Sequence, residues 1–158
     1  MKINYLLPNR LKLFAWIVFI PSVILGVLWT VEAITIEPEV LNFKVFALFN
    51  DDFSSNEGFW IKNNLLNEIL GIGIVVSGLI LGFSKTKMED EYIAQLRSEA
   101  LVWSTYINYG FLLLALLFVY GFSFLTFMLF GLFLSLILFV LIFHYKIYLL
   151  NNKTRSEE

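Results

Sequence analysis

An acidic side chain at the edge of a long apolar run is the first feature that invites chemistry, and here it is Glu68, near the head of Leu65 to Phe83. A carboxylate in hydrocarbon is costly enough that an ionisable group within a span marks an ion or proton site by default. Asn63, Asn64 and Asn67 precede it, and Asn64 shares its helix face, which places Glu68 at an interface where water still solvates it. Asn108 lies well inside the third apolar segment, the most polar of the set, and Tyr120 or Ser123 at its end falls at the height of Glu68. Glu68, Asn108 and Tyr120 are therefore the candidate intramembrane polar site. One reading is a proton or cation path; the other is interfacial anchoring with hydrogen bonds between helices.

The rest of the chemical inventory is thin. His144 is the single histidine and there is no cysteine, so no metal shell forms around it, and it is expected at the inner interface. Asp51, Asp52, Ser54, Ser55 and Glu57 lack the fixed spacing and turn glycine of a calcium loop and read as a solvated turn. The motifs G-x-S-x-G, H-E-x-x-H and the phosphate-binding glycine loop are absent, and Gly71-Ile72-Gly73 lacks the strand-to-helix context. Catalytic, cofactor-binding and metal-ligating residues are accordingly assigned as none, and the chain reads as non-enzymatic.

The elements that must position these groups follow from composition. Over 158 residues, 59% are hydrophobic and 15% charged, with 17 Phe, more apolar surface than one soluble core of this size can hide. A net charge of −2 offers no footprint for nucleic acid. The expected fold is an all-α membrane protein with four transmembrane helices at about 13–31, 65–83, 100–120 and 124–143, forming one domain over 1–158. Leu13 to Val31 is uncharged and of spanning length, with Pro21 expected to kink it. Ala100 to Phe143 holds no charge or His for 44 positions, about 66 Å as one helix, so it must fold back near Gly121-Phe122-Ser123. The first run also has the outline of a cleaved signal peptide, but nineteen apolar residues exceed the usual ~7–15 of such a core.

Cationic flanks stay cytoplasmic, which puts both termini inside. Nine of the eleven Lys and Arg then lie on that side, with Lys44 and Lys62 across the membrane. The outer loop, 32–62, is expected to carry a small β-containing cap, with strands at Ile34 to Ile36 and Asn42 to Leu48. Its Phe43, Phe46 and Trp60 need helix ends, lipid or a partner to rest on. On the inner side, Met88, Tyr92, Leu96 and Ala100 recur every four positions, so 86–99 is an amphipathic helix running into the third span as one rod from about Thr86 to Tyr120. Glu89, Asp90 and Glu91 suit its positive end. Arg97 has no carboxylate one turn back and is expected to face lipid phosphate or another subunit.

The string Lys87-Met88-Glu89-Asp90-Glu91-Tyr92-Ile93, followed by Leu96-Arg97, Trp103 and Asn108-Tyr109, resembles a pattern in small four-helix membrane proteins of Bacteroidota. Glu37-Pro38-Glu39 and Lys44-Val45-Phe46-Ala47-Leu48-Phe49 with Asp51-Asp52 resemble their outer loop. The likeness covers roughly residues 30 to 150 and implies a four-span topology in a Gram-negative inner membrane, with no activity attached. Some of the proteins it resembles are encoded beside small helix-turn-helix regulators, which implies a signalling partner.

Small residues let helices approach closely in lipid. Gly71, Gly78 and Gly82 share one face of the second helix, and Gly131 with Ser135 gives the fourth a small-residue face, so these two should pack together or the second should pack on its own copy. Phe127, Phe130, Phe133, Phe139 and Phe143 would then face lipid and neighbours. The first functional expectation is a partner-binding or envelope-sensing inner-membrane module, a compact set of four helices. Its binding residues are Glu89, Asp90, Glu91 and Arg97 inside and Phe43, Phe46 and Trp60 outside; its partners are the bilayer, a second copy, or another membrane or regulatory protein. The alternative is a small transporter or channel subunit in which Glu68, Asn108 and Tyr120 line a path.

Overall fold

The computed structural model describes residues 6–30, 38–47, 60–86 and 90–156. Four helices cover most of them: α1 (Leu11–Thr30), α2 (Leu66–Phe83), α3 (Glu91–Phe118) and α4 (Phe122–Ser156), with strands β1 (Asn42–Phe46) and β2 (Trp60–Asn64) between α1 and α2. All four helices are long and apolar enough to cross a membrane. Pro21 lies inside α1, which is continuous around it.

The turn between α3 and α4 falls where expected. The last α3 bond runs from the Val119 N–H to the Ala115 carbonyl, and Gly121 takes φ +70°, a left-handed conformation that a side chain would strain. At the other end, α3 starts at Glu91 rather than near Thr86. Asp90 is extended, and its carboxylate accepts the Ile93 N–H at 2.9 Å, so it caps the helix instead of standing within it. Glu89 lies outside the described residues, as do Ile34 to Ile36 and the acidic turn Asp51 to Glu57.

The principal packed pairs are α1 with α2, α2 with α4, and α4 with α3. Glycines govern the first two interfaces. Gly73 faces Ser22 and Val18 of α1, and Gly26 of α1 faces Ile74. On the other side of α2, Gly71, Gly78 and Gly82 meet Phe133, Leu136 and Phe139 of α4. The α2–α4 pairing is thus as expected, but large knobs enter glycine holes, where small-on-small contact was anticipated. Gly131 points instead at Leu112 and Asn108 of α3. Phe139 and Phe143 are correspondingly buried and do not face lipid.

Two apolar cores result, one on each side of α4. Ala15, Phe19, Ile74, Leu81 and Val140 join α1, α2 and α4. Ile93, Leu96, Ala100, Phe139 and Phe143 join α3 to α4, with Phe83 of α2 at their edge. The second core continues past the apolar run, because α4 does not stop near Phe143 but runs on beside the start of α3. Lys146 reaches Glu99 there at 2.6 Å.

The cap is a two-stranded antiparallel hairpin, with Lys44 opposite Lys62 and Phe46 opposite Trp60. Asn42 to Leu48 was expected as a strand, and β1 takes up most of it; the partner is Trp60–Asn64. Asn64 closes the hairpin base. Its amide donates to the Pro38 carbonyl and the Asn42 side chain, each at 3.1 Å, and its oxygen accepts the Leu66 N–H, so β2 passes directly into α2.

Candidate functional site

Because α1 and α4 both pack on α2, the space between them depends on whether they touch each other. Towards one end they do. Trp16 of α1 stands edge-on to His144 of α4, ring centroids 5.0 Å apart. The His144 Nδ1 bonds with the Val140 carbonyl, and its Nε2 is buried without a hydrogen-bond partner among the described residues. His144 thus forms part of the contact between α1 and α4.

Towards the other end α1 and α4 part, and a cleft of about 720 Å³ opens over α2. Val23, Gly26, Val27, Trp29 and Thr30 form the α1 wall; Leu129, Phe130, Phe133 and Ile137, with Thr126, form the α4 wall. Gly71 and Ile74 make the floor, and Asn67 and Glu68 stand on the first turn of α2 at the mouth. Packing explains the shape: α2 presents glycines on two faces and draws both neighbours onto itself. The cleft is apolar along its length and polar at one end. There the Glu68 Oε1 accepts a hydrogen bond from the Asn63 amide at 2.8 Å, and no Lys or Arg among the described residues forms an ion pair with it. The Thr30 hydroxyl donates to the Gly26 carbonyl at 2.7 Å.

The three residues considered as a polar path are not brought together. Asn108 and Tyr120 do not line this cleft. Asn108 is 9% exposed and faces Gly131, and its Oδ1 has no partner among the described residues, in place of the interhelical bond expected of it. Tyr120 is 77% exposed, lies just past the end of α3 and donates to the Leu117 carbonyl in that helix's last turn.

Arg97 is the largest departure. It is 7% exposed, not turned to lipid or a partner. Its Nε donates to the Gly82 carbonyl at 3.1 Å and a terminal nitrogen reaches the Ser84 carbonyl at 3.4 Å, while the guanidinium lies 4.9 Å from the Phe143 ring centre. A cation of α3 thereby satisfies the buried carbonyl end of α2, where the helix dipole favours positive charge, and stacks on α4. Beside it, the N-terminal segment joins the same junction: the Leu7 N–H donates to the Phe83 carbonyl and the Lys85 N–H to the Leu7 carbonyl, both at 2.9 Å. No sequence signal marks this site, because its acceptors are backbone groups distant along the chain.

The surface residues proposed for partners divide. Asp90 is engaged as a cap, Glu91 is exposed, and Phe43, Phe46 and Trp60 are exposed, with Phe46 and Trp60 in edge-to-face contact at 5.8 Å. Searches against family models, curated proteins and solved structures find no match to this chain.

Proposed function

We propose that this chain is a non-enzymatic, multi-pass inner-membrane protein, with both termini cytoplasmic, that works as a partner-binding or envelope-sensing module through its outer face. The observation that carries this reading is the continuity of the hairpin with the cleft. β2 feeds α2 with no linker beyond Leu65, so force or contact on Phe43, Phe46 or Trp60 is transmitted to the helix that holds α1 and α4 together. The distribution of Lys and Arg supports the orientation, and the resemblance to Bacteroidota proteins supports the choice of membrane. With Arg97 buried and Asp90 capping, the inner acidic cluster is a weaker docking surface than the exposed aromatic hairpin.

The partner is another membrane or regulatory protein or a second copy of the chain, and no nucleic acid is involved. Photo-crosslinking in cells from p-benzoylphenylalanine at Phe43 or Trp60, with Leu113 of α3 as a lipid-facing control, tests this. Discrete protein adducts from the hairpin positions alone are expected. Their absence, or equal adducts from all three positions, overturns the reading.

A further inference from the structure

The cleft has a depth that decides what it can hold. Its lining runs from Asn67 to Ile74 on α2, from Thr30 to Val23 on α1 and from Thr126 to Ile137 on α4. At about 1.5 Å per residue these are about 10, 10 and 16 Å of helix, a third to a half of a ~30 Å hydrocarbon core. The space is therefore no deeper than one leaflet and closed below by the α1–α4 contact, a pocket and not a path across. Its volume of about 720 Å³ sits within the ~300–1,000 Å³ usual for small-ligand sites.

Chemistry narrows the occupant further. The walls offer only apolar contact to whatever lies deep, as an acyl chain requires. The mouth offers acceptors: the Glu68 carboxylate, which makes no ion pair among the described residues, and the neighbouring Asn67 amide oxygen. A charge-assisted bond from an ammonium group is the complement to that mouth, whereas a purely anionic head would meet Glu68 with like charge.

We propose that the α1–α2–α4 cleft binds one tail of a membrane amphiphile whose head carries a protonated primary amine, with the ammonium on Glu68 and Asn67 and the tail over Gly71 against Phe133. This deepens the reading of the outer face as a receiving surface and rests on it for which leaflet supplies the lipid. No bond is made or broken; the site is one of recognition.

The test uses the full chain in non-ionic detergent, titrated with phosphatidylethanolamine or phosphatidylglycerol of matched chains, with retained lipid counted by native mass spectrometry. One phosphatidylethanolamine per chain is expected, bound roughly tenfold more tightly than phosphatidylglycerol, and Glu68→Gln should abolish that preference. Leu129→Trp fills the cleft from an exposed wall position and should remove retention of both lipids. Equal retention of the two lipids, a preference untouched by Glu68→Gln, undiminished binding in Leu129→Trp, or a dimer in place of a lipid adduct each overturns the proposal. Hairpin crosslinks are read separately. Adducts at Trp60 without lipid preference reject the lipid alone, and lipid preference without adducts rejects the partner-binding reading alone.

Discussion

Adding one methyl group at Gly82 tests the glycine-hole description of the α2–α4 interface. A Cβ built there collides with Phe139 Cε1 and stands 3.0 and 3.1 Å from Cδ1 and Cζ, against ordinary carbon contacts of about 3.5–4.0 Å. The ring has little room to yield. Phe139 is 2% exposed, 5.4 Å from the Phe83 ring and stacked at 6.2 Å on Phe143, which itself lies under Arg97. Overpacking of a tight site costs about 1–3 kcal/mol, and the three-sided confinement of this ring places Gly82→Ala near 2 kcal/mol. The same change at Gly110, which has nothing within 4 Å of its Cβ position, should be neutral or slightly stabilising. Unfolding in mixed micelles titrated with sodium dodecyl sulfate, followed by tryptophan fluorescence, measures both. Phe139→Leu introduced into Gly82→Ala should recover part of the loss, giving a coupling energy of about 1 kcal/mol in a double-mutant cycle. A Gly82→Ala variant within about 0.5 kcal/mol of the parent, or a Gly110→Ala variant equally damaged, would refute the packing argument.

Other consequences are independent of that one. Arg97→Met should destabilise the chain by about 2–3 kcal/mol in the same titration, and Arg97→Lys should restore less than half, because an ammonium cannot both fork to two carbonyls and stack on Phe143. Asn108→Leu should leave stability unchanged or raised, since the Oδ1 it removes has no partner among the described residues; a large loss would show that the amide is satisfied after all. Asn64→Ala, which removes the acceptor of the Leu66 N–H and the ties to Pro38 and Asn42, should cost about 1 kcal/mol, with hydrogen exchange in β1 and β2 rising more than in α3. Reversing the Glu99 and Lys146 charges together should preserve the packing of the start of α3 on α4, while either single reversal weakens it at low salt and less at high salt.

What could be read from the chain was set by the solvent. Lipid demands runs of fixed length, so four spans and the Gly121 reversal follow from charge spacing and one turn residue. Contacts decided by distant backbone could not be read in that way. From the sequence Arg97 reads as unpaired because no carboxylate stands one turn back, whereas its acceptors are the carbonyls that close α2, thirteen and fifteen residues away. The β2 strand ends in Lys-Asn-Asn, a poor strand former alone, and exists by pairing with β1 and by the Asn64 bonds at its base. Helix α4 outruns its apolar stretch because α3 continues beside it and supplies Leu96 and Glu99 as neighbours, so the end of the apolar run does not mark the end of the helix. The cleft follows from which face each glycine takes, and Gly73 differs from Gly71 in partner although both lie in one short motif.

The topology is the claim on which the leaflet, the cleft mouth and the partner face all depend, and a chain without cysteine can be mapped one thiol at a time. With Lys44→Cys in the hairpin and Ser98→Cys on the exposed side of α3, labelling by a membrane-impermeant maleimide should modify the first in intact spheroplasts and the second only after the membrane is opened. Modification of both from the same side, or of Ser98→Cys alone from outside, would contradict a four-span chain with its ends in the cytoplasm.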